Sequence, residues 1–177
     1  ATELNPSHPE AHNTLGMALT QAGKLDEGVA SLRRAVELEP DNAEARSNLG
    51  VALLRTGMTA DAISSLRRAT ELEPDGPEGH NMLGMALMQA GRPDEAVVAL
   101  QRAVALRPDY SDGHYNLAQA LTAIGQARGA TSEFREAMRS RPDWPPAMAG
   151  LAWLEATSDA GDVRNPEDAV RLASSAV

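Results

Sequence analysis

Cysteine is absent from the 177 residues, which excludes disulfides, thiolate metal sites and a cysteine nucleophile together. Aromatic residues make up only 3% of the chain, so a core must be built from Leu, Ala, Val and Met. Dominance of Ala and Leu favours helix over strand. Lysine occurs once, at Lys24. The net charge of −9 and a pI near 4.9 are the reverse of the basic face that nucleic-acid binding requires, so no nucleic-acid partner is expected. No apolar run approaches the ~20 residues of a membrane span, and no charged segment leads into an apolar stretch as in a signal peptide. H-E-x-x-H, the P-loop, the Rossmann glycine fingerprint and G-x-S-x-G are also missing. The carboxylates fall at periodic surface positions, with no pattern that would bury one and raise its pKa. The sequence therefore reads as non-enzymatic and without a cofactor.

What is present is a repeat. Prolines stand at 40, 74, 108 and 142, each 34 residues after the last, and one step back reaches Pro6. Units of that length run 9–42, 43–76, 77–110 and 111–144, with a divergent fifth from 145 to 177. Leu15, Leu49, Leu83 and Leu117 are each followed by a small residue and, four residues on, by another Leu. That i, i+4 spacing marks the buried stripe of a first helix. Gly23, Gly57, Gly91 and Gly125 close that helix, where a left-handed position favours glycine. A second helix carries Gly28, Ala62, Ala96 and Ala130, then Leu32, Leu66, Leu100 and Phe134, then Ala35, Ala69, Ala103 and Ala137. It stops before the proline, which cannot extend it. Gly16, Gly50 and Gly84 lie inside the first helices at a cost of ~0.5–1 kcal/mol each, which predicts two helices too close there for a larger side chain.

A helix–turn–helix of this length reading "NLG..L...G...DAISSLRRATELEP" over residues 48–74 resembles the tetratricopeptide repeat. The phrasing "HNTLG", "SNLG" and "HYNLA" is most similar to the arrays ahead of O-linked N-acetylglucosamine transferases and in bacterial scaffolds. The resemblance implies an all-α, right-handed superhelical solenoid of antiparallel helix pairs. One departure is the bulky first-helix position, often Trp in the family, which is His12, Arg46, His80, His114 and Met148 here. Residues 1–8 read as the tail of a truncated preceding repeat. Asn165 reads as the N-cap of a last helix with Pro166 at its first position, after an interhelix loop lengthened across roughly 158–165. The chain is thus expected to be a piece of a longer array, since solenoids usually end in polar capping units.

In this family the first helices line the concave face. The resemblance places Asn13, Met17 and Gln21 there in the first unit, then Ser47, Val51 and Arg55, then Asn81, Met85 and Gln89, then Tyr115 and Gln119, then Trp153. Asn48 and Asn116 match asparagines that bond ligand peptide backbone in the transferase-type arrays, and amides carry both donor and acceptor. Met17, Met85 and Met88 offer an adaptable apolar surface or fill the core; the Leu stripe already supplies a core, which favours the groove. The paired lysines by which some members clamp a C-terminal carboxylate are absent.

Glu10, Glu44, Glu78 and Asp112 recur at the second residue of each unit, either as a rail for a basic ligand or, the favoured reading, as complements to the helix dipole. Arg33 and Arg67 each precede a Glu by four residues (Glu37, Glu71), the spacing of a charge-paired surface. His12, His80 and His114 sit too far apart in stacked helices, with axes 8–10 Å apart, to ligate one ion at about 2 Å, so repetition explains them better than metal. Three functions fit: a module binding a peptide segment of a protein partner on its concave face, the substrate-recruiting arm of a larger enzyme such as a glycosyltransferase, or a scaffold that self-associates end to end. None involves a membrane.

Overall fold

The computed structural model describes residues 8–161 and 163–175; the expected tail of a preceding repeat at 1–8 lies, apart from His8, outside them. Among the described residues there are ten helices and no strand. They divide into two compact units, the first ending at Ala90 and the second starting at Gly91. The first holds α1 (Pro9–Gln21), α2 (Leu25–Leu38), α3 (Ala43–Arg55), α4 (Thr59–Leu72) and α5 (Pro77–Gln89). The second holds α6 (Pro93–Leu106), α7 (Ser111–Ala123), α8 (Ala127–Ser140), α9 (Pro145–Thr157) and α10 (Pro166–Ser175).

Helix ends follow local chemistry. Pro opens α1, α5, α6 and α9, where its missing N–H and fixed φ cost nothing. Asn42 caps α3 by accepting from the Ala45 amide at 2.8 Å. At the C-terminus of α1, Gly23 (φ 79°) turns the chain so that its amide reaches the Thr20 carbonyl and the Lys24 amide reaches Leu19. That is the paired closure of a Schellman turn, and it recurs at Gly57 and Gly125.

In the first unit α1 packs on α2, α3 on α4, and α2 and α4 each on the helix that follows. One buried cluster shows the join between successive pairs: Val29 and Leu32 of α2 meet Leu49, Ala52 and Leu53 of α3, with Ala62 of α4 alongside. A Cβ on Gly16 would lie 2.5 Å from Leu32 Cγ, and one on Gly50 2.5 Å from Leu66 Cγ. The expected close approach is present within both pairs. Burying a leucine fully stabilises by ~1.5–3 kcal/mol, which outweighs the ~0.5–1 kcal/mol cost of a helical glycine. α3 also touches both α1 and α5, so the three first helices form one layer.

The second unit repeats the scheme with α7 on α8 and α9 on α10, joined by α6–α7 and α8–α9 contacts. Where α7 carries Ala118 in place of glycine, α8 carries Phe134 in place of leucine. The longer ring reaches α9, and the close glycine is now Gly150, whose Cβ would sit 2.5 Å from Phe134 Cζ. The loop from α9 to α10 begins at Ser158, and Asn165 ends it, donating its amide to the Glu155 carbonyl at 2.8 Å and capping α10 by accepting from the Asp168 amide. Glu155 stands where α3, α5 and α7 have Leu53, Leu87 and Leu121. It is fully buried, with Oε1 on Arg135 at 2.9 Å and Oε2 unpartnered.

Candidate functional site

In the layer α1, α3, α5, the same helical position is Met17, Val51 and Met85. Met17 and Met85 are among the exposed large apolar side chains, and Val51 between them is half-buried. Gln21, Arg55 and Gln89 are exposed at the helix ends, and Ser47 and Met88 are half-buried. Arg55 donates from Nη1 to the Thr20 carbonyl, a second donor for an oxygen in α1's last turn that already accepts from the Gly23 amide. The amides are more constrained than the sequence suggested. Asn13 is buried and used at both ends: its Nδ2 donates to Glu44 Oε1 at 3.1 Å, and its Oδ1 accepts from Asn48 Nδ2 at 3.0 Å. Asn81 is 1% exposed and donates to the Met85 sulfur at 3.8 Å. Asn48 is half-buried and donates to Asn13 through Nδ2 alone.

The second unit assembles a different set. Tyr115 and Asn116 are half-buried, Gln119 is exposed and donates to the Tyr115 hydroxyl at 2.7 Å, and Trp153 is exposed. The Tyr115 ring meets Phe134 edge-on at 5.8 Å and Trp144 at 4.8 Å. Arg141 lies over Trp144 at 4.2 Å and bonds Asp112 at 2.8 Å. Sequence reading missed Trp144. The available signal was that every aromatic residue falls after position 109, where a cluster could form.

Among the recurrent acids, Glu44 bonds Asn13 and Asp112 bonds Arg141. The surface arginines are charge-paired, with a different partner from the expected one at Arg33. Glu37 is met by Arg34 and Glu71 by Arg68, each three residues before it. Arg33 instead reaches Asp61 of α4, and Arg68 also reaches Asp41. The place usually taken by Trp has a shared role: Arg46, His80 and His114 each bond the carbonyl of the proline six residues earlier, at 2.6, 2.9 and 3.0 Å. Among the described residues no three His, Asp or Glu side chains gather as a metal site. His114, nearly buried, also has Nδ1 2.6 Å from Glu133 Oε2. That hydrogen bond holds its pKa above the ordinary histidine value, against the opposing effect of burial.

Stacked antiparallel helix pairs exposing a layer of apolar and amide side chains define an all-α helical-repeat protein of the interaction-scaffold class. Two profiles described as "Tetratricopeptide repeat" match residues 13–77 and 87–154, and the chain belongs to the tetratricopeptide repeat family. Members of this family bind protein or peptide partners and are generally non-catalytic. Among curated proteins, none matches the sequence. Solved structures share the fold. MamA is 24% identical, with 91% of each chain covered and a TM-score of 0.80. YrrB, described as "a TPR protein with an unusual peptide-binding site", is 22% identical over 97% of this chain and 86% of its own, at 0.76. PilF of Pseudomonas aeruginosa is 22% identical over 96% and 76%, at 0.81. No helix among the described residues is long and apolar enough to cross a membrane.

Proposed function

We propose that the exposed face of α1, α3 and α5 binds an extended peptide segment of a protein partner. The observation that carries this reading is the apolar row Met17, Val51, Met85 on three adjacent helices, both methionines exposed and Val51 half-buried between them, while Leu49, Leu53, Leu83 and Leu87 already fill the buried stripes of α3 and α5. Thioethers adapt to varied apolar side chains. Asn48 supplies a carboxamide acceptor whose orientation is fixed by Asn13, and exposed Gln21 and Gln89 add donors and acceptors for a peptide backbone. The peptide-binding description of YrrB supports the same use of the fold. In this reading Asn13 and Asn81 position neighbours and do not themselves meet the ligand.

The test is selection from a displayed library of extended peptides, followed by fluorescence anisotropy on the enriched sequences. Wild type should bind them, and the Val51→Glu, Met85→Glu double variant should lose binding while its circular dichroism is unchanged. Equal binding by the folded double variant would place the ligand elsewhere and sink the proposal.

A further inference from the structure

Between α1 and α3 the chain places one of its own guanidinium groups on a helix end. Arg55, the last residue of α3, donates from Nη1 to the Thr20 carbonyl in the last turn of α1. That oxygen also accepts from the Gly23 amide, so the guanidinium takes its second lone pair. The partial negative charge of a helix C-terminus favours a positive group there.

Three repeats on, the same two positions are Thr122 in α7 and Thr157 in α9. The Thr122 carbonyl accepts from the Gly125 amide at 3.0 Å, as Thr20 does from Gly23. Position 157 brings no guanidinium, and the Thr157 hydroxyl turns back onto the Trp153 carbonyl at 2.7 Å. At this junction there is an open pocket of about 270 Å³, lined by Thr122, Gly125, Trp153, Thr157, Ser158 and Asp159. It lies inside the second unit, between the α7–α8 and α9–α10 pairs.

Two replacements favour a guanidinium here beyond what α1 and α3 provide. Trp153 stands in place of Val51, one turn before Thr157, and is 58% exposed; an indole face attracts a planar guanidinium. Asp159 stands in place of Gly57, exposed just past the end of α9, and adds a carboxylate. The N-terminus of α8 reaches the rim at Ala127 with roughly half a positive charge, which two helix C-termini and Asp159 outweigh.

The geometry points to an arginine side chain of a partner protein as the occupant of this pocket. Its guanidinium donates to the second lone pair of the Thr122 carbonyl, stacks on Trp153 and faces Asp159. This goes beyond the peptide face of α1, α3 and α5, because the pocket is in the other unit and stands whether or not that face binds.

The test follows the indole N–H signals by NMR, with Trp153 assigned from Trp153→Phe. The probes are N-acetyl-arginine amide, N-acetyl-lysine amide and N-acetyl-citrulline amide, the last a neutral isostere of the first. The arginine probe should shift the Trp153 signal saturably, the lysine probe should bind more weakly, and the citrulline probe should not bind. Asp159→Asn should weaken the arginine probe by up to about fivefold, the scale of one exposed ion pair. Thr157→Arg supplies the residue type that α3 has and should abolish the response by filling the pocket itself, with circular dichroism unchanged. If that variant does not fold, Asp159→Asn and the citrulline probe still decide the matter. The proposal is overturned by no saturable shift with the arginine probe, by citrulline or lysine binding as well as arginine, or by undiminished binding in Asp159→Asn or folded Thr157→Arg.

Discussion

Asn48 donates its side-chain amide to the carboxamide oxygen of Asn13 across 3.0 Å, joining the first helices of two successive repeats. Asn13 passes the chain of bonds on to Glu44, so the network returns to α3 and fixes two amides and a carboxylate at once. Replacing Asn13 by Ala leaves Asn48 and Glu44 without that partner, a loss of ~1–2 kcal/mol. Urea denaturation should show a lower midpoint at an unchanged m-value. Asn48→Ala removes only one of those bonds and should be the milder change for stability, but the more harmful one for peptide affinity. Equal effects of both variants on affinity would mean that Asn48 does not face the ligand.

The glycines inside the first helices are close-approach sites, so alanine should be harmful there in spite of its better helix propensity. Gly16→Ala would bring a methyl 2.5 Å from Leu32 Cγ and 3.0 Å from the Gly28 carbonyl oxygen. Overpacking of this kind costs ~1–3 kcal/mol, against a gain of ~1 kcal/mol in propensity. A fall in thermal midpoint is expected for Gly16→Ala and Gly50→Ala. Gly161→Ala, with nothing within 4 Å of its Cβ, should leave the midpoint where it is. A stabilised Gly50→Ala would mean that Leu66 moves aside freely.

Periodicity made the helix pairs, their glycine closures and the Gly16–Leu32 approach legible, because each depends on backbone spacing that a 34-residue repeat preserves. Side-chain pairing was less legible. The spacing Arg33–Glu37 looked like a surface pair, but the bond runs from Arg34, since positions three and four apart are both neighbours on a helix and Arg33 has a better partner in Asp61. Asn13 illustrates the same limit at the candidate site. Its helical face could be read from the repeat, but its consumption by Asn48 and Glu44 depends on how closely α1 and α3 approach. The aromatic group around Tyr115 joins residues from α7, α8 and the start of α9, which no local pattern connects.

Glu155 occupies a leucine position with no exposure, and only one of its two oxygens has a partner. Removing one member of such a pair is worse than removing the need for it. Arg135→Ala should therefore destabilise strongly, by ~3 kcal/mol or more, although Arg135 itself is largely exposed. Glu155→Leu restores the residue type found at Leu53, Leu87 and Leu121 and should be neutral or stabilising. Thermal unfolding of both variants decides the matter. A large loss in Glu155→Leu would mean that the carboxylate organises the α9–α10 loop beyond its bond to Arg135.

His114 sets the pH dependence expected of the second unit. One ring nitrogen faces the Glu133 carboxylate and the other the Pro108 carbonyl. Both partners only accept, so the site is fully satisfied when both nitrogens carry protons. Glu133, aided by Glu136, raises the folded-state pKa above the unfolded value of about 6.5. For a raised histidine the stabilisation is complete below the unfolded pKa and is lost as pH rises through the folded one. Wild type should therefore have a higher urea midpoint at about pH 6 than at about pH 8. In Glu133→Gln the carboxamide can donate to a neutral ring while the other nitrogen still donates to Pro108, which removes the preference for the charged form. The pH dependence should shrink in that variant. An undiminished slope in Glu133→Gln would assign the effect to another group and leave His114 as a loop tether like Arg46 and His80.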